Sequence, residues 1–88
     1  MFTNTTLAIA AVDIVHTPQR KIRSIIISNI GPDTVYIEEN NIASAGNSYP
    51  LLPGTQLAEN QAEDIVTLHF ICAVGDTATI SMKEVSNR

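Results

Sequence analysis

The chain has 88 residues, a net charge of −4, 44% hydrophobic residues and only 5% aromatic ones, with no Trp. That length allows one domain with one modest core, necessarily of Ile, Val, Leu and Ala. Arg20, Lys21 and Arg23 are the only clustered basic residues, so binding driven by a nucleic-acid backbone is excluded, because it needs many clustered Lys and Arg. Taken in order, residues 7–15 alternate Leu7, Ile9, Ala11 and Asp13 against Ala8, Ala10, Val12 and Ile14, which predicts a strand, with a helix as the other reading. A turn follows at His16-Thr17-Pro18-Gln19, since proline biases the residue before it away from helix. Residues 21–30 and 34–38 then predict a central β-hairpin. Its first arm is rich in β-branched isoleucine, Gly31-Pro32-Asp33 forms the turn, and Val35 and Ile37 share one face of the second arm.

Residues 39–48 are rich in Asn, Ser and Gly and predict an irregular loop. Pro50 and Pro53 cannot donate to a central ladder, so residues 49–55 predict an edge strand or extended loop, with Pro53-Gly54 as a turn. A short strand is expected at 56–58 and a solvated acidic loop at 59–64. Residues 65–74 predict a second strong strand with Val66, Leu68, Phe70 and Cys72 on one face. Gly75-Asp76 signals a hairpin turn into a last strand at 77–85, with Ala78, Ile80 and Met82 inward. Strands at this spacing predict an all-β fold: one small antiparallel β-sandwich, jelly-roll-like, over residues 1–88, with an extended N-terminus at 1–6 and a tail at 86–88. The expected core is Ile25, Ile27, Val35, Ile37, Val66, Leu68, Phe70, Ile80 and Met82. A four-stranded α+β fold would require a helix at 7–15 or 57–64.

No catalytic constellation emerges. His16 and His69 lack a second ligand at metal-binding spacing. Glu38-Glu39 and Glu63-Asp64 are sequence neighbours, which point to opposite faces of a strand and so make poor acid/base pairs. Cys72 is the only cysteine, which precludes an intrachain disulfide, and its apolar surroundings predict a buried, inert thiol. The expectation is therefore no enzyme, no cofactor and no metal. The start lacks the basic residues of a signal peptide and residues 7–12 are too short to span a bilayer, so no membrane association is expected.

The strings RSIIISNIGPDTVYIEENNIAS, LLPGTQLAE and LHFICAVGDTATISMKE resemble small structural proteins of tailed-bacteriophage virions. The resemblance covers about residues 20–85 and is carried by Arg23, Asn29, Val35, Tyr36, Ile37, Leu51, Pro53, Gly54, Gly75 and Glu84 in that order. It implies a capsid decoration or cement protein, made in the host cytoplasm and bound to the outer surface of the phage head. The major capsid protein would be its partner, along with further copies of itself as a homo-oligomer, trimer before dimer. It also allows a head-fibre base, neck or tail protein; a non-viral ligand- or peptide-binding sandwich and a cupin-like enzyme are the other classes. Candidate capsid or subunit contacts are Asn40, Asn41, Asn47, Tyr49, Pro50, Leu51 and Pro53.

Overall fold

The computed structural model describes residues 2–18, 22–60, 62 and 65–86. It contains eight strands: β1 Phe2–Ile9, β2 Ile14–His16, β3 Ile22–Pro32, β4 Val35–Glu39, β5 Tyr49–Leu51, β6 Gln56–Glu59, β7 Leu68–Ile71 and β8 Ala78–Ser86. They form two four-stranded sheets, ordered β1-β8-β3-β6 and β2-β7-β4-β5. All pairings are antiparallel, and they nest: β1 with β8, β2 with β7, β3 with β6, β4 with β5. Additional pairs β3–β8 and β4–β7 complete each sheet. The path is that of a long hairpin rolled into two facing sheets, which is the eight-stranded jelly roll. Among the described residues there is no helix.

Period-two alternation makes the core. On β3, Ile25, Ile27 and Asn29 point inward, while Ile26 and Ile30 face out. On β8, Ala78, Ile80, Met82 and Glu84 are buried. The second sheet answers with Val35 and Ile37 of β4, Leu51 of β5, and Leu68 and Phe70 of β7. Cys72, Ile9, Ile22, Ala62 and Ile65 close the cluster at its margins.

The expected hairpin is corrected: β3 and β4 lie in different sheets, so the chain at 31–34 turns a corner between layers. The same holds for β7 and β8 around Gly75-Asp76. Residues 7–15 are two strands divided by a bend, which lets β1 and β2 serve opposite sheets. His16 ends β2 and is not a turn residue. Residues 2–6 belong to β1 and Ser86 to β8, so they form no extended arm or tail; residues 1, 87 and 88 lie outside the described residues. Val66, expected in the core, is 67% exposed. Its backbone N–H donates to Asn40 Oδ1 at 2.7 Å, and the strand starts only at Leu68, so the inward phase does not reach it. Within the acidic segment, Ala62 is buried and its N–H donates to the Arg23 carbonyl, so that loop folds partly inward. Gln61, Glu63 and Asp64 lie outside the described residues.

Candidate functional site

Four connections meet at one end of the sandwich: β1–β2, β3–β4, β5–β6 and β7–β8. The register fixes this, since Ile9 and Pro32 both pair with Ala78, the first residue of β8. Backbone bonds tie the loops together, from Cys72 N–H to Ala10 O, Asp33 N–H to Thr77 O, and Gly54 N–H to Asn29 O. Three of the connections present an exposed large apolar residue, Val12, Leu52 and, at 93% exposure, Val74, and Ile30 faces out near the end of β3 beside the fourth. The charged residues of this end are Asp13, Asp33 and Asp76, and none of the five basic residues lies in these four connections. The surface is thus apolar tips with acidic side chains among them.

Asn29 holds this end in shape. It is 1% exposed, and its Nδ2 donates to Asp33 O and Leu51 O, both at 2.8 Å. The Gly31 N–H donates back to Asn29 Oδ1 at 2.7 Å across a break in β3–β8 register. Gly31 has φ +97°, a region a side chain enters only with strain, so the bulge needs glycine there. One buried amide therefore satisfies groups on the β3–β4 and β5–β6 connections together.

The opposite end and the outer face of the second sheet are occupied by the chain itself. The β4–β5 loop folds back so that Ala43 N–H donates to Asp13 Oδ1 and the Ser48 hydroxyl donates to Glu38 Oε1. Beneath it, His69 Nδ1 lies 2.9 Å from Asp13 Oδ2, and Nε2 lies 3.0 Å from Thr67 Oγ1. A carboxylate only accepts, so Nδ1 carries the proton and the threonine hydroxyl donates to Nε2 when the ring is neutral. This acid–imidazole–hydroxyl order matches that of a nucleophilic triad. The nearby N–H groups of Val66 and Thr67, which would have to hold an oxyanion, both donate to Asn40 Oδ1. The network links β7 to Asp13, which also accepts from the Ala43 N–H of the β4–β5 loop, and so serves as a clamp on that loop. Asn40 adopts φ +61°, which asparagine tolerates better than most residues.

A titratable layer closes the far end of the core. Glu84, Ile25 and Glu59 form one row across the first sheet, and His16, Leu68 and Glu39 form one across the second. His16 Nε2 donates to Glu84 Oε1 at 3.2 Å, while the buried Glu84 Oε2 finds no hydrogen-bond partner among the described residues. Glu39 and Glu59 meet at this end, each at the last position of its strand. Burial, then the charge and hydrogen bond of Glu59 and the charge of Glu38, hold the Glu39 carboxyl above its ordinary range. These carboxylates line an open cleft of about 500 Å³ with Ile37, Asn47, Ser48, Tyr49 and Leu57. Among the described residues no group of three metal-ligating side chains converges. Cys72 is buried, and burial pushes its thiol up, with Asp76 and Asp33 adding to the shift.

The seven candidate contacts are scattered. Asn40, Asn41 and Asn47 sit in the β4–β5 loop, Tyr49, Pro50 and Leu51 on the edge strand β5, and Pro53 in the apolar loop end. Leu51 is 2% exposed and belongs to the core, so it offers no surface. Asn40 is spent on the Val66 and Thr67 amides, whereas Tyr49, Pro50, Pro53, Asn41 and Asn47 are exposed. Sequence reasoning missed Val12, Ile30, Leu52 and Val74. Their shared signal is an apolar residue directly before a turn pair or acid: Ile30-Gly31-Pro32, Leu52-Pro53-Gly54, Val74-Gly75-Asp76 and Val12-Asp13. No family model matches the chain, and no curated protein matches it.

Proposed function

We propose that this is a structural, non-enzymatic virion protein that decorates the outer surface of a tailed-phage capsid through the apolar end of its jelly roll. The observation that carries the proposal is the set of four exposed apolar tips, Val12, Ile30, Leu52 and Val74, gathered at one end of a rigid sandwich. Scattered exposed hydrophobes are ordinary, but a cluster of large ones on bonded loops suits a protein interface. Asp33 and Asp76 give the end one sign of charge, so its counterpart is an apolar depression with basic residues at its rim. The resemblance to virion proteins over residues 20–85 supplies the major capsid protein as that counterpart. A ligand of the assembled shell stabilises the shell.

The test is reconstitution. Heads stripped of the protein are refilled with the purified chain, and occupancy and shell melting are measured. Binding with a raised shell melting temperature is expected, and Leu52→Ser/Val74→Ser, altering only exposed side chains, should lower occupancy. Failure to bind heads, or presence in tails alone, would overturn the decoration role.

A further inference from the structure

We infer that the free edge of β1 is a self-association site, joining two copies of this chain into a two-fold dimer with a continuous eight-stranded sheet. This inference does not rest on the capsid reading, which concerns the loop end. A sandwich has four edge strands, and natural proteins guard such edges with shortness, proline or charge. Three edges here are guarded. The β2 and β5 strands are three residues long, β5 contains Pro50, and β6 has four residues and ends in Glu59. The fourth is β1, eight residues long, with the sequence Phe2-Thr3-Asn4-Thr5-Thr6-Leu7-Ala8-Ile9. It has no charge, no proline and no glycine, and among the described residues it pairs on one side only, with β8. Alternate residues therefore direct their N–H and C=O groups away from the sheet.

The occupant follows from length and symmetry. A three-fold ring would need β1 to pair with a different edge, and the others offer three or four residues against its eight. Only another β1 matches it along its length, and antiparallel pairing of identical strands is isologous. The two-fold axis must keep core-facing residues opposite core-facing ones, because a one-residue slip exchanges the faces. Thr3, Thr5, Leu7 and Ile9 share the inner face, being partners of Glu84, Met82, Ile80 and Ala78. The axis thus passes through Thr5 or Thr6. The first register sets Asn4 opposite Thr6, and the second sets Thr6 opposite itself. Both pair neutral, β-compatible side chains without conflict. Exposed Val15, on β2 of the same flank, adds apolar area. The dimer is the second of the two states implied by the resemblance, and it suits a two-fold site.

Asn4→Lys/Thr6→Lys tests the inference. Both residues are exposed, so the monomer should fold, and in either register Lys meets Lys across the axis. Sedimentation equilibrium of the wild-type chain from about 1 to about 500 µM should show a monomer–dimer equilibrium. The double variant should weaken it by roughly tenfold or more. Gln56→Lys/Ala58→Lys adds the same charge on the β6 edge and should leave association unchanged. If the β1 variant does not fold, hydrogen exchange in the wild type decides, since alternate β1 amides gain protection with concentration only in this dimer. A monomer at every concentration, a trimer, or a dimer indifferent to the β1 substitutions would overturn the inference.

Discussion

Replacing Asn29 with alanine removes the buried side chain that bonds Asp33 and Leu51 together at the apolar end. Three hydrogen bonds go at once, to Asp33 O, Leu51 O and from Gly31 N–H. The bond to Leu51 O is fully buried, so its loss leaves that carbonyl one hydrogen bond short where water does not reach, whereas the other two groups are part-buried and gain water in compensation. Losing a fully buried hydrogen bond costs about 1–3 kcal/mol and the two partly compensated bonds about 0.5 each, so the loss is roughly 2–4 kcal/mol. Against a total stability of roughly 5–10 kcal/mol for a domain this size, that is a large fraction. It corresponds to a fall in Tm of roughly 10–20 °C. Urea and thermal unfolding of Asn29→Ala, read by circular dichroism, measure it. Asn29→Asp preserves size and the acceptor for Gly31 but aims an ionised carboxylate at two carbonyls. Burial there raises its folded pKa, so its stability should be poorest at neutral pH and recover in acid. A loss below about 1 kcal/mol for Asn29→Ala would refute the reasoning, since the fully buried bond to Leu51 O alone should cost at least that.

Other outcomes follow from the polar clusters. Because the folded pKa of Glu39 is raised, the native state binds its proton more tightly than the unfolded chain does, and this group's contribution improves as pH falls toward the ordinary value of 4.5. Glu39→Gln should therefore be more stable than wild type at pH 7, by a margin that shrinks on acidification, as urea midpoints across pH will show. Cys72 should resist thiol reagents at pH 8 in the native state and react at once in denaturant; fast native labelling would contradict its burial. His69→Ala should loosen the β4–β5 loop, costing about 1–2 kcal/mol and speeding hydrogen exchange of the Ala43 amide, whose acceptor Asp13 loses its anchor.

Faces were legible in the sequence, whereas strand partners were not. Alternation in Val35-Tyr36-Ile37 and Ala78-Thr79-Ile80-Ser81-Met82 assigns inward and outward residues correctly, because a strand's period is a local property. Gly31-Pro32 announces that the chain reverses without saying whether the next strand lands beside the last or across from it. In a jelly roll it lands across, so the hairpin reading fails. Val66 fails because its amide is captured by Asn40, 26 residues away, and the strand starts only at Leu68. The outer face of the second sheet is partly covered by the chain's own loop through Ala43, Asp13 and Ser48. Long-range polar contacts of this kind leave no periodic trace. The loop tips escaped notice because an apolar residue before a turn looks like the end of a strand.

The nested pairing has a consequence for the chain as it is made. Phe2 pairs with Val85, and β8 lies between β1 and β3 as the shared neighbour of both. Until the last ten or so residues emerge, the first sheet lacks its central strand, and β1 has no hydrogen-bonding partner at all. Synthesis and folding are therefore out of step: the earliest strand waits for the latest. Closing contacts over such separations is slow, and the waiting chain exposes an uncharged, β-prone segment at its start. A nascent chain truncated before residue 78 should remain unfolded and adhesive rather than half-built. β1 stays unpaired until β8 has been made, so the yield of this protein should rise with chaperone supply.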